Sequence, residues 1–242
     1  MNAPLVTLIQ ARMSSSRLPG KVLLPLGDGL VLDHVVCRSA AFSTQVVVCT
    51  SSDPSDDPIR DYCDKIGTPC VRGDLHDVFA RLRTALLDST VDATVWFARV
   101  TADCPLISVP LARELIAATR AEPDLDYACV HLERAPRGLP IELVRRETFL
   151  GVDPASLDAP QREHVTPVFY ENPQRYRCLR IDVPPELRHP ELRLTLDHPQ
   201  DYQVLQRLFE DPRVCAESAV AHMLADPELP WINAHCEQRS VR

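Results

Sequence analysis

Glycine is scarce in this chain, with 7 in 242 residues, and the scarcity removes the two commonest phosphate cradles. There is no G-x-x-x-x-G-K-[ST] and no G-x-G-x-x-G, which excludes a P-loop ATPase and a nicotinamide enzyme. Nine cysteines are present, but no two stand at C-x-x-C spacing, and no H-E-x-x-H occurs, so zinc and dithiol chemistry have no motif to rest on. Reduced, mostly buried thiols are expected. No apolar run approaches the roughly 18 residues of a membrane span, and no basic-then-apolar leader closes on a small-residue cleavage site. A cytoplasmic protein without a membrane partner is expected. Basic charge is also in deficit: 26 Lys and Arg face 34 Asp and Glu, a formal net charge of -8. That balance argues against nucleic acid and anionic lipid as partners, because a phosphate-neutralising surface would tip the sign the other way.

What is there is 45% hydrophobic and 25% charged, enough for a substantial core in a single domain spanning 1–242. PLVTLIQA (4–11) is short, apolar and rich in β-branched residues, as a strand buried on both faces of a parallel sheet should be. QVVVCT (45–50), PCVR (69–72) and ATVWFARV (93–100) repeat the pattern, each after a helical stretch, at about 30–42, 57–66 and 75–88. Alternation of this kind predicts right-handed βαβ units, hence an α/β, Rossmann-like fold with a mostly parallel central sheet and helices on both faces. Ser108 reads as the N-cap of the helix LARELIAATRA, with Pro110 in its first turn. Beyond residue 122 the sequence predicts strands at DYACV (126–130), PIELV (140–144), YRCLRIDV (176–183) and LRLTLD (192–197), and helices over 161–170 and 199–210.

The stretch QARMSSSRLPGK, Gln10 to Lys21, begins where the first strand should end, the place where open α/β sheets bind ligands. It offers Arg12, Arg17 and Lys21 as cations, Ser14, Ser15 and Ser16 as hydroxyl donors, and turn N–H groups for one anion. By composition alone it also reads as a solvated basic turn; its position after the first strand favours a triphosphate. Asp103 follows ATVWFARV closely enough to emerge in the same crevice, although it also suits a turn before Pro105. Asp197, from residues alone, reads as the N-cap of the helix that follows.

QARMSSSRLPGKVL, VVVCTSSDPSDDPI (46–59), VRGDLHDVFAR (71–81), RVTADCPLI (99–107), REHVTPVFYENP (162–173) and LRLTLDHPQDY (192–202) together resemble the cytidylyltransferases that make CMP-linked sugar acids. Within them the chain is most similar to the branch typified by the spore-coat polysaccharide protein SpsF. The resemblance runs in order over nearly the whole chain. It implies a Rossmann-like nucleotidyltransferase fold similar to glycosyltransferase family A, CTP as nucleotide, Mg²⁺ as cofactor, and a homodimer. It further implies a nucleotide-binding half to about residue 122, and an acceptor-binding and dimerisation half from 123 to 242.

Carried onto this sequence, the resemblance makes Arg12 and Lys21 catalytic. Gln10, Ala11, Met13, Ser14, Ser15, Arg17, Thr50, Ser51, Arg72, Gly73, Asp74, Thr101 and Ala102 become nucleotide contacts with Arg12, Lys21 and Asp103. Asp103 and Asp197 become the metal carboxylates. Glu142, Arg162, Glu163 and His164 are the acceptor-side candidates, for a sugar acid or a small phosphonate or carboxylate. Each has an ordinary alternative: Thr50 and Ser51 as a strand end, Gly73-Asp74 as a turn, Glu142 as a strand residue facing solvent, and Arg162-Glu163-His164 as an exposed helical face. Two other activities fit the fold. A sugar 1-phosphate acceptor would make a sugar-nucleotide pyrophosphorylase, and the D-L-D at 124–126 matches by letters the metal motif of glycosyltransferases. A nucleotide-binding protein without turnover is the non-catalytic alternative.

Overall fold

The computed structural model describes residues 4–88, 90, 91, 93–139 and 141–237. Strand β1 (Leu5–Gln10) is buried along almost its whole length, with Val6 and Leu8 in one core and Leu5 and Ile9 in another. Alternate side chains feeding two cores are what a strand covered on both faces requires. The chain then forms a small antiparallel pair, β2 (Pro25–Leu26) and β3 (Gly29–Leu30), before α1 (Val31–Ala40) returns it to β4 (Gln45–Ser51). Helix α2 (Asp57–Ile66) leads to β5 (Cys70–Gly73), and α3 (Val78–Leu87) crosses back to β6 (Trp96–Thr101). Helix α4 (Val109–Ala121) begins as its sequence predicts, with the Ser108 hydroxyl accepting from the Leu111 N–H and Pro110 in the first turn. Then come β7 (Tyr127–Val130), β8 (Glu142–Arg145), α5 (Arg146–Leu150), α6 (Ala159–His164), α7 (Pro167–Tyr170), β9 (Cys178–Ile181), α8 (Pro199–Leu208) and α9 (Ala216–Ala225).

Among the described residues the main sheet has seven strands in the order β5-β4-β1-β6-β8-β7-β9. Only β8 runs against its neighbours; the other pairs are parallel. Helix α3 and the 149–169 region cover one face through Phe79, Leu82, Phe149 and Phe169. The other face is covered by α1, α2 and α4 through Leu32, Val35, Ile59 and Leu115. A third cluster joins α8 and α9 to the loops beyond β6 and β7. Because the chain runs outward from β1 to β4 and β5 and then returns to β6 on the other side, the order reverses at the carboxyl end of β1. Such a reversal opens a crevice there.

Two sequence expectations fail for local reasons. The predicted helix over 161–170 is two short ones, broken at Val165, which has φ +71°. Pro167 supplies no N–H to continue the helix, and Val165, completely buried in the aromatic core, centres a γ-turn at φ +71° and ψ −61° that the Thr166 N–H closes on the His164 carbonyl at 2.8 Å. LRLTLD (192–197) is not a strand. Every residue in it is buried, but its only bridge, among the described residues, is Arg137 to Arg193, because it lies inside the third cluster and off the sheet edge. Of the PIELV stretch, Pro140 lies outside the described residues.

That bridge depends on Gly138. Its φ is +105°, and a Cβ there would lie 2.7 Å from the Leu194 carbonyl and the Thr195 nitrogen. Gly67, past the end of α2 at φ +69°, has nothing within 4 Å of such a Cβ. We expect Gly67→Ala to lose only about 1 kcal/mol, the cost of the left-handed backbone, and Gly138→Ala to lose at least about 2 kcal/mol, because a backbone clash is added. Denaturant midpoints of the two variants compare them directly; equal losses would mean the 138–194 contact is not tight.

Candidate functional site

The loop after β1 is shaped by main-chain bonds. The Ser15 and Gly20 N–H groups both donate to the Met13 carbonyl at 2.9 Å, and Gly20 adopts φ +72°. The Met13 N–H donates to Asp56 Oδ1 at 2.7 Å, while Asp56 Oδ2 accepts from the Ser51 N–H and hydroxyl. Asp56 is completely buried and clamps the loop to the end of β4. Sequence reading assigned it no role; its place in the SSDPSDDPI segment was the available signal.

At the far end of the loop, Lys21 opens a short helical turn and is itself buried. Its ammonium donates to Asp103 Oδ2 at 2.6 Å and to Asp197 Oδ1 at 2.9 Å. Burial would push this amine down, but the two carboxylates outweigh it and hold it above the usual lysine range. Burial likewise works against ionised Asp103, yet the charge and hydrogen bond of Lys21, with help from Thr101 and Cys104, hold it down at about 2. Lys21 and Asp103 are therefore both charged at neutral pH.

The carboxylates meet because the backbones are tied. The Asp103 carbonyl accepts from the Leu196 N–H at 2.8 Å and from the Thr195 hydroxyl at 3.2 Å, and the Ala102 N–H donates to the Gln10 carbonyl at 2.9 Å. Asp197 does not cap α8. The N-cap is His198, and the wholly buried Asp201 in the first turn reaches back so that its Oδ2 accepts from the Asp197 and His198 N–H groups. Asp201 also takes a two-bond fork from Arg193, at 3.1 and 3.0 Å, and a bond from the Asn233 amide. Asp197 is thus left free to collect cations: Lys21, Arg17 at 3.0 Å, Arg193 at 3.7 Å and Arg137 at 3.9 Å. Four cations around three carboxylates, Asp103, Asp197 and Asp201, leave one positive charge in excess for a polyanion. Asp201, Arg193 and Asn233 had no site role in the sequence reading, whereas Arg137 reads there, with Arg134, Arg145 and Arg146, as a charge that could favour an anionic acceptor or simply be solvated.

Other nucleotide-side candidates divide between the crevice and its frame. Ala11, Thr101 and Ala102 sit at the ends of β1 and β6, beside Lys21 and Asp103. Ser14 is exposed on the loop, and the Ser15 hydroxyl accepts from the Leu18 N–H. Arg12 reaches the other way, to Glu163 at 3.5 Å, with both side chains about half exposed. Arg72 spends its guanidinium on the Ser51 and Asp53 carbonyls and on Asp57. Ser51 gives its N–H and hydroxyl to Asp56, and the Thr50 hydroxyl is buried without a partner. Asp74 closes its own turn by accepting from the His76 and Asp77 N–H groups. Thr50, Ser51 and Arg72 therefore shape the rim over β4 and β5, while Gly73 and Asp74 form its edge.

On the acceptor side, Glu142 does not face solvent. It pairs with Arg99 across the β6–β8 register and takes both the Arg99 guanidinium and the Tyr127 hydroxyl at 2.5 Å. Arg99 also donates to Gln10 Oε1 at 3.0 Å, so a buried polar chain links the nucleotide loop to the second half of the sheet. His164 is held neutral chiefly by burial, with Arg99 and Arg12 adding to the effect. Arg162 turns away and binds Asp77, the cap of α3, and the Pro154 carbonyl. A cleft of about 180 Å³ opens beside this chain, lined by Tyr127, Cys129, Leu132, Glu133, Tyr170 and Arg180. The D-L-D at 124–126 lies at the opposite, amino end of β7, where Asp124 pairs with Arg177 on the surface and Asp126 accepts from the Arg177 N–H.

Asp103 and Asp197 pass a simple test for a divalent cation, because they already converge on one positive charge, the Lys21 ammonium. Among the described residues no group of three His, Cys, Asp or Glu side chains could hold a metal. Two carboxylates, with phosphate oxygens and water for the remainder, suit a hard ion that keeps several waters.

Residues 6–223 match the family model described as Cytidylyltransferase. The spore coat polysaccharide biosynthesis protein SpsF of Bacillus subtilis is 31% identical over 235 residues, which cover 91% of this chain and 94% of that protein. A cytidylyltransferase structure from Leptospira borgpetersenii superposes with a TM-score of 0.82 at 24% identity, over 99% of this chain and 100% of the other. A CMP:2-keto-3-deoxy-manno-octonic acid synthetase complexed with CTP superposes at 0.64 and 19% identity, over 87% of this chain and 100% of the other. These likenesses show the Rossmann-like nucleotidyltransferase fold.

Proposed function

The chain belongs to the cytidylyltransferase family and is a nucleotidyltransferase, and from that premise we propose that it transfers CMP from CTP to an acidic small molecule with release of pyrophosphate. The observation that carries this reading is the Lys21 ammonium held between Asp103 and Asp197 at the switch point of the sheet. In the reaction an acceptor oxygen attacks the α-phosphorus in line and negative charge collects on the departing pyrophosphate. Lys21 and Arg17, already fixed at the carboxylates, neutralise the β- and γ-phosphates as that charge develops. Arg12, at the outer end of the same loop, is free to swing from Glu163 to the triphosphate, since an exposed pair of this kind is weak. Mg²⁺ held by Asp103 and Asp197 would supply Lewis-acid stabilisation of the phosphoryl oxygens.

The acceptor's place is the region of Glu142, Glu163 and His164 and the cleft beside Tyr127 and Tyr170. An acceptor whose attacking oxygen is already ionised needs no general base. A half-buried His164 whose charged form is disfavoured suits a hydrogen-bonding rather than a charge-pairing role toward it. An acidic acceptor of the sugar-acid, phosphonate or carboxylate class meets these conditions. Pyrophosphate release with CTP, UTP, ATP or GTP against panels of sugar acids, small phosphonates and sugar 1-phosphates tests the proposal. Release confined to CTP and an acidic acceptor supports it. Release with sugar 1-phosphates alone would turn the reading to a sugar-nucleotide pyrophosphorylase, and CTP binding without turnover on any acceptor would turn it to a non-catalytic protein.

A further inference from the structure

Arg81, on α3, is completely buried, yet none of its three guanidinium nitrogens has a hydrogen-bond partner among the described residues. A guanidinium left unpaired in a dry interior is strongly unfavourable, and replacing buried charge by an apolar side chain often stabilises a fold. Retaining it calls for a ligand that completes its bonding. Burial pushes the guanidinium down from its usual range, and the Cys49 thiol beside it, pushed up to about 12 by the same burial, stays neutral. Asp56, the carboxylate that acts on it most strongly, has both oxygens engaged with Met13 and Ser51.

Its place in the fold says which part of a ligand it meets. The backbone and inner carbons of Arg81 pack against Gly73, where even a Cβ would come within 3.2 Å of them. Cys49 and Gly73 belong to the carboxyl ends of β4 and β5. Lys21, Asp103 and Asp197, which would hold the triphosphate, stand on the β6 side of β1, and the sheet order puts β4 and β5 on the other side. A nucleotide anchored at Lys21 therefore extends its base over β4 and β5. Because Gly73 has no side chain, α3 packs directly on the end of β5 and brings Arg81 to that strand end.

We infer that Arg81 reads the base, donating two parallel N–H bonds to an edge that accepts at two adjacent positions. In cytosine these positions are O2 and N3, whereas uracil carries an N–H at position 3 and would oppose a donor there. A guanidinium has five donors in a fixed fork and no acceptor, so the geometry discriminates as well as attracts. The inference rests on the proposed use of CTP and adds the residue that selects it.

Calorimetric titration of CTP and UTP, with Mg²⁺, into the wild-type protein, Arg81→Met and Arg81→Lys tests it. Arg81→Met is expected to weaken CTP binding by roughly ten- to a hundredfold, the worth of one forked pair, and to leave UTP nearly unchanged. Its ligand-free melting temperature should stay level or rise. Arg81→Lys keeps the charge without the fork and should also lose the CTP preference, which covers the case in which the methionine variant fails to fold. A CTP-to-UTP ratio unchanged in either folded variant, or both nucleotides weakened equally, makes Arg81 part of the scaffold and overturns this inference alone. A wild-type protein that binds neither nucleotide overturns the proposed function with it.

Discussion

Lys21→Ala should lower the rate of CTP-dependent pyrophosphate release by roughly a hundred- to a thousandfold, the usual cost of removing one preorganised group that meets developing charge. The ammonium is fixed before substrate arrives by two hydrogen bonds, so no reorganisation is needed at the moment of transfer. The same substitution leaves Asp103 without its neutralising partner and Asp197 with Arg17 as its nearest cation. Removing one member of a buried ion pair commonly costs about 3 kcal/mol or more, so the melting temperature should fall as well. Assaying well below the variant's melting point separates the two effects. A folded Lys21→Ala protein with a rate within a few-fold of wild type would sink the assignment.

Asp103→Asn should lose turnover to a comparable extent, by roughly a hundredfold or more if the carboxylate holds the metal. The signature to seek is in the metal dependence. Without added metal, the variant should bind CTP at least as well as wild type, because one negative charge facing the triphosphate has gone. With Mg²⁺ present, wild-type affinity and rate should rise, and the variant should gain little of either. A chelator should bring wild type down toward the variant. If Asp103→Asn and wild type share the same Mg²⁺ titration curve, Asp103 is only an anchor for Lys21.

The two carboxylates illustrate how unevenly a sequence shows its site. Asp103 could be placed because it directly follows an apolar strand, and strand ends in a parallel sheet are where ligands bind. Asp197 looked like a helix cap because it precedes Pro199 by two residues. The structure makes His198 the cap, backed by Asp201, whose other bonds reach Arg193 and Asn233. Arg99 was concealed inside ATVWFARV, since a strand covered on both faces lacks the polar alternation that would single out a charged position. Its partner Glu142 sits 43 residues away, and only the antiparallel insertion of β8 between β6 and β7 joins them. Arg72 and Ser51 had the right residue types in the right loops, but their donors and acceptors are consumed by neighbouring carbonyls and by Asp56.

The sequence by itself determined the alternation of strand and helix, the parallel sheet that follows from it, the loop from Gln10 to Lys21 as the candidate anion-binding element, and membership of the family. Those properties are local, written in periodicity, turn residues and short motifs. Only the tertiary structure decided which charges meet. Lys21 finds Asp103 across 82 residues and Asp197 across 176, and such encounters depend on strand order and on contacts like that of Gly138 with Leu194. Whether a polar group faces a ligand or is spent on the frame is decided by its partners, and burial makes each partner count by removing water as the alternative.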